Sequence, residues 1–117
     1  MNRLEVLKQV IAFDRPVDDL ALALSQFEWD YEGQPLIIHG SHIRSILNKF
    51  LAGEVNAKEL ENWANLIECR DDLEFDEGQR EVLENIIYCL ANPMLQGELT
   101  ISFCENLLGD LDKSDDQ

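Results

Sequence analysis

The sequence predicts an all-α fold, a single-domain bundle of about five to six amphipathic helices. Three observations lead there. Apolar residues recur at helical spacing in six segments, capping residues bound those segments, and the connections between them are short. At 117 residues, 45% of them apolar, the chain can bury one core and has no need of a second.

Leu4, Leu7 and Ile11 share one face of a helix over residues 3–12, which ends near Asp14 and Pro16. Pro16 suits the first turn of a second helix, where a missing N–H goes unnoticed. Asp18 and Asp19 follow where the helix dipole favours negative charge, and Val17, Leu20, Ala21 and Leu24 form the stripe to about Gln26. Residues 27–40, FEWDYEGQPLIIHG, break the pattern. Short extended pieces around the Glu32-Gly33 turn are expected there, at most a small hairpin near 27–38 rather than a sheet. Ser41 is the expected N-cap of a third helix carrying Ile43, Ile46, Leu47, Phe50 and Leu51, which Gly53 ends. Asn56 and Glu59 have the spacing of a reciprocal capping box, ahead of Leu60, Trp63, Ala64 and Ile67. Val82, Leu83, Ile86, Ile87 and Leu90 mark a helix over about 77–91. Pro93 halts it and 92–99 read as a loop. Thr100 caps a last helix with Ile101, Cys104, Leu107 and Leu108 inward. The domain is read as 1–112, and 113–117 as a frayed acidic tail.

Charge narrows the function. The chain has 24 acidic residues against 9 basic ones, net −15. Residues 1–70 hold 11 acids and 7 bases, residues 71–117 hold 13 acids and 2 bases. Such a field repels nucleic acid and anionic membrane and speeds encounter with a basic protein. No apolar run approaches the roughly 18 residues of a membrane span, and MNRLEVLKQV lacks a signal-peptide core, so a cytoplasmic location is expected. Cys69, Cys89 and Cys104 show no C-x-x-C spacing and read as buried free thiols.

The densest acidic stretch is ECRDDLEFDEG, residues 68–78, with Asp71, Asp72, Glu74, Asp76 and Glu77. A calcium loop starting at Asp72 fails, because Glu77 and Leu83 occupy the sixth and twelfth places that call for Gly and an acid. Local structure explains part of the cluster. Asp76 and Gln79 have capping-box spacing, Glu77 suits a first helical turn, and Arg70 is placed to pair with Asp71 or Asp72. The remaining carboxylates suit a basic partner, and the two readings are compatible. Trp29 and Tyr31, interleaved with Asp30 and Glu32, have the makeup of anchors for the same kind of partner, since aromatics bury area and accept cations on their faces. Tyr88, off its helix stripe, is a weaker case. Trp63 reads as core, with an indole N–H that needs a partner. His39 and His42 have no zinc-site spacing, and neither a nucleophile elbow nor a phosphate loop is present. No enzyme activity, cofactor or metal is expected.

FLAGE (50–54), ENWAN (61–65), ECRDD (68–72), EFDEG (74–78) and LANPMLQGELT (90–100) together resemble a group of small acidic helical bacterial proteins, often the immunity proteins of toxin–immunity systems such as contact-dependent growth inhibition or colicin-like systems. The resemblance covers roughly the last two-thirds of the chain and implies an inhibitor of a cognate toxin C-terminal domain. It carries no catalytic residue. Nuclease toxins are basic because they hold phosphates, which matches the charge. The expected contacts are Trp29, Asp30, Tyr31, Glu32, Asp71, Asp72, Glu74, Asp76 and Glu77. The alternative is an acidic adaptor or regulator of a nucleic-acid-binding protein, acting as a nucleic-acid mimic.

Overall fold

The six expected helices form, and a pair of three-residue strands joins them. The structure, a computed structural model, describes residues 3–14, 16–27, 35–68, 70, 72–96 and 98–115. In chain order these are α1 (Arg3–Ala12), α2 (Val17–Leu24), β1 (Leu36–Ile38), α3 (Gly40–Leu51), α4 (Ala57–Ile67), β2 (Leu73–Phe75), a 3-10 turn (Glu77–Gln79), α5 (Arg80–Ala91), α6 (Pro93–Gln96) and α7 (Ile101–Asp115). The Cα radius of gyration, 13.8 Å, matches the roughly 13 Å of one packed domain of this length.

Helix α4 lies at the centre, packed on α5 and also touching α2 and α3, while α1 packs on α2 and α7 on α3 and α5. Leu60, Trp63, Ala64 and Ile67 bury the stripe of α4 as its spacing requires. Asn56 accepts from Glu59 N–H at 2.8 Å while the Glu59 carboxylate accepts from Asn56 N–H at 3.0 Å, closing the capping box. At the start of α7, Thr100 Oγ1 accepts from Phe103 N–H at 3.1 Å.

Two helices end in the same way. After α3, Gly53 takes φ +81°, with Gly53 N–H donating to Phe50 and Glu54 N–H to Lys49. This is the paired hydrogen-bond pattern of a left-handed helix stop. After α1 the same two bonds run from Phe13 to Val10 and from Asp14 to Gln9, but the left-handed residue is Phe13, φ 53°. A side chain there is strained. Phe13 is offset by burial against Trp63, ring centroids 6.3 Å apart. Lys49 Nζ donates to the Ala12 carbonyl at 3.0 Å, where the dipole of α1 favours a cation.

Several expectations are corrected. The hairpin expected near 27–38 falls largely on residues outside the described ones, and what the structure adds is a partner for Leu36–Ile38 far along the chain. Leu36–Ile38 pairs in parallel with Leu73–Phe75, in the register Leu36–Leu73, Ile37–Glu74 and Ile38–Phe75. Parallel strands need a long crossover, and here α3 and α4 form it. Residues 28–34 lie outside the described residues. Helix α3 begins at Gly40 with His39 at the N-cap, two residues ahead of Ser41. Leu4 and Ala21 are exposed, and α1 buries Val6, Leu7, Val10 and Ile11 instead. Pro93 does stop α5, yet it opens the short α6 because its fixed φ suits a first helical position. Ile101 faces solvent, and α7 buries Cys104, Leu107 and Leu111. Helix α7 continues through Asp115, past the boundary read at 112.

Candidate partner-binding surface

The acidic stretch is a strand flanked by two carboxylates, one ion-paired to arginines and one hydrogen-bonded to a histidine. Leu73 and Phe75 turn toward the core and Glu74 lies on the other side of the pleat. Ahead of the strand, Asp72 is 2% exposed and accepts from Arg70 through both oxygens, at 2.8 Å each, and from Arg3 Nε at 3.2 Å. Arg3 in turn lies over the Phe27 ring, 5.7 Å from its centroid. One carboxylate thus ties α1 and the exit of α4 to the start of β2, and Arg3 reaches on to Phe27, beyond α2. Burial pushes the Asp72 carboxyl up, but the Arg70 hydrogen bonds and the Arg70 and Arg3 charges outweigh it and leave the group below its ordinary value. Asp72 is therefore an internal anchor, a correction to its reading as an outward contact: a carboxylate beneath two guanidiniums has no free lone pairs or surface to offer.

The other acids of the stretch are spread differently. Glu74 sits 3.5 Å from Arg80, which also pairs with Glu84 at 3.2 Å. Glu77 is exposed at the start of the 3-10 turn. Asp76 caps that turn, accepting from Gly78 N–H at 3.1 Å. The expected box with Gln79 does not close, because Asp76 N–H donates to Ile38 and its other oxygen accepts from His39 Nδ1 at 2.8 Å. Asp71 and Trp29, Asp30, Tyr31 and Glu32 lie outside the described residues.

The His39–Asp76 pair was not read from the sequence. It follows from register: β1 and β2 run parallel and end level, so the residues after each, His39 and Asp76, emerge side by side. The His39 hydrogen bond, then the Gly78 N–H, hold the Asp76 carboxyl below its ordinary value. His42, one turn into α3, accepts the His39 backbone N–H on Nδ1 at 2.9 Å, and the two rings lie 5.6 Å apart. Burial and then the neighbouring His39 push the His42 pKa below 6.5. The folded state therefore holds fewer protons on His42 than the unfolded chain. Its contribution to stability is fully present above 6.5 and is lost as pH falls through the folded value. The urea midpoint should drop between about pH 7.5 and pH 5. His42→Gln keeps an acceptor at this capping position without titrating, and should lose that part of the drop. An identical pH profile for the variant would rule out His42 as its source.

Among the described residues, no group of three His, Cys, Asp or Glu side chains is placed to hold a metal ion, and no buried side-chain nitrogen or oxygen lacks a hydrogen-bond partner. Cys89 and Cys104 are buried free thiols. Burial raises both pKa values, that of Cys104 to about 11, with Asp110 adding to the shift at Cys89. They are protonated at neutral pH and poor nucleophiles. A shallow groove of about 540 Å³ between the 3-10 turn, α5 and α7 is edged by Glu77, Arg80, Glu81, Asp110 and Lys113, a mixed-charge rim without convergent polar groups.

The fold and these sites define a mostly helical single domain with an acidic exterior and a small parallel strand pair. No helix among the described residues is long and apolar enough to cross a membrane. No family model, curated protein or solved structure matches the chain.

Proposed function

We propose that the protein is an immunity protein: it binds a cognate, basic, nuclease-type bacterial toxin domain in the cytoplasm and blocks it by occupancy, without chemistry of its own. The observation that carries this reading is the charge, net −15, with 13 acids against 2 bases in residues 71–117. Among the described residues, Asp72, Glu74, Glu84, Glu61 and Asp112 are tied to Arg or Lys side chains, and Asp76 is hydrogen-bonded to His39. Exposed acids such as Glu77, Glu81, Glu98, Glu105 and Asp110 pair with no cation among the described residues and supply a field that steers a basic partner. Trp29 to Glu32 remain proposed anchors. The resemblance of ENWAN, ECRDD and LANPMLQGELT to small acidic immunity proteins supports the same reading.

The test is co-purification of the tagged protein from its native host, followed by association kinetics on the identified partner. The expected partner is a Lys/Arg-rich nuclease domain, with an association rate that falls at least tenfold between about 50 and 500 mM salt. A housekeeping nucleic-acid-binding protein in its place would replace immunity with the adaptor reading. A neutral partner, or association indifferent to salt, would refute both.

A further inference from the structure

We infer that His42 is a pH-operated release for the start of α3: when its ring gains a proton the first turn of that helix opens, while the His39–Asp76 bond keeps the ends of β1 and β2 together. The stability that His42 loses in acid belongs to the whole chain, and this release is the local event behind it.

The device lies in the choice of acceptor. Helices α3 and α4 start on the same half of a capping box, a bond from the N-cap N–H to the side chain three residues on. In α4 the Asn56 N–H donates to the Glu59 carboxylate at 3.0 Å, and in α3 the His39 N–H donates to His42 Nδ1 at 2.9 Å. A carboxyl group keeps an accepting oxygen whether or not it is protonated. An imidazolium has N–H donors on both nitrogens and no acceptor. One proton therefore turns the His42 ring from the partner of the His39 N–H into a second donor facing it. The same proton puts a cation at the helix end where the dipole opposes it.

The surroundings do not offset that charge. The charge that acts on His42 is that of His39, which lowers its proton affinity further. Asp76 faces His39 from the end of β2, with one oxygen on His39 Nδ1 at 2.8 Å and the other on Gly78 N–H. Of the helices packed on α3, α7 presents Asp112, bound to Arg44 at 2.8 Å, and α1 the Ala12 carbonyl, bound to Lys49. Helix α4 carries Lys58 paired with Glu61, and Glu59 on its own N-cap. None of these carboxylates is paired with the His42 ring.

The first turn is closely seated as well. Gly40 is buried, and a Cβ there would lie 2.7 Å from the Gln79 side-chain oxygen and 3.2 Å from Leu111 Cδ1. A small displacement of the turn breaks this seat. The strand ends are held separately. Asp76 N–H donates to the Ile38 carbonyl at 2.9 Å, and His39 Nδ1 donates to Asp76 in either protonation state of the His39 ring.

The experiment is NMR on the whole protein between about pH 7.5 and pH 5. Nitrogen shifts of the His42 ring follow its protonation, and amide exchange, expressed as protection factors, follows the bonds. The ring should take up its proton below pH 6.5. In step with it, protection of the His39 amide should fall about fivefold, the factor that an ordinary cap supplies, while the Gly78 and Asn56 amides hold steady. In His42→Gln, which accepts at every pH, the His39 amide should stay protected throughout. An equal fall at all three amides would mean a general loosening and overturn the local release. A His39 amide indifferent to the His42 titration, or one that loses protection equally in His42→Gln, would overturn it as well.

Discussion

Trp63→Ala should cost about 4–6 kcal/mol, a large part of the roughly 5–15 kcal/mol that holds a domain of this size together. The indole is fully buried at the centre of α4, and its N–H donates to the Val10 carbonyl at 2.7 Å. Emptying a buried aromatic site costs about 3–5 kcal/mol in lost transfer energy and cavity. The hydrogen bond adds only about 1 kcal/mol, because the Val10 carbonyl keeps the Phe13 N–H as a second donor. A further loss comes from Phe13 itself, whose left-handed backbone is held by packing on the Trp63 ring. Without that ring the end of α1 has a strained residue and nothing to offset it. Urea unfolding followed by far-UV circular dichroism is the measurement, since the variant removes one of only two tryptophans. Trp63→Phe, which keeps most of the ring and drops the N–H, should fall in between, near 1–3 kcal/mol. A Trp63→Ala cost below about 2 kcal/mol at unchanged denaturant slope would mean that Trp63 is not the centre of the core.

Periodicity made the helices legible and hid the strands. Leu60, Trp63, Ala64 and Ile67, and the Asn56–Glu59 box, are local signals: each residue's partner lies within a turn or on the same face, so spacing alone announces them. The pairing of Leu36–Ile38 with Leu73–Phe75 is a different kind of fact. A strand of three residues has no period to display, and its partner lies two helices away in the chain. In LEF the one outward residue is Glu74, and the acids on both sides made the whole stretch look like a solvated turn. The site shared that fate. Arg70 stands two residues from Asp72, one of the two partners its spacing allows, but Arg3 arrives from the other end of the chain, and only the folded topology brings His39 to Asp76. Ile101 was misread for a related reason. It fits the stripe of α7 by spacing, but the buried side of that helix starts at Cys104 and leaves Ile101 on the solvent side.

Asp72→Ala should destabilise the protein by about 3 kcal/mol, and the loss should depend on pH. Removing one partner of a buried ion pair costs about 3–5 kcal/mol because the other charge is left without compensation. The lower end applies here, since the Arg3 and Arg70 side chains keep 16% and 23% exposure and water can reach them. The sign follows from the Asp72 carboxyl lying below 3.8 in the folded state. The unfolded chain binds the proton first as pH falls. The ion pair's contribution is therefore fully present above the unfolded value and is lost as pH drops through the folded one. The gap between wild type and variant should be constant above about pH 5 and narrow below about pH 4. A cost under about 1 kcal/mol, or a gap that stays constant to pH 3, would sink the internal-anchor reading. This also decides which substitutions can probe a partner. Lysine at Asp72 would place a third cation beside two guanidiniums and unfold the chain for reasons unrelated to binding. Glu77→Lys, at an exposed position, should leave stability within about 0.5 kcal/mol while slowing association with a basic protein. A binding loss at Asp72 thus measures the fold, and a rate loss at Glu77 measures the field that the fold holds outward.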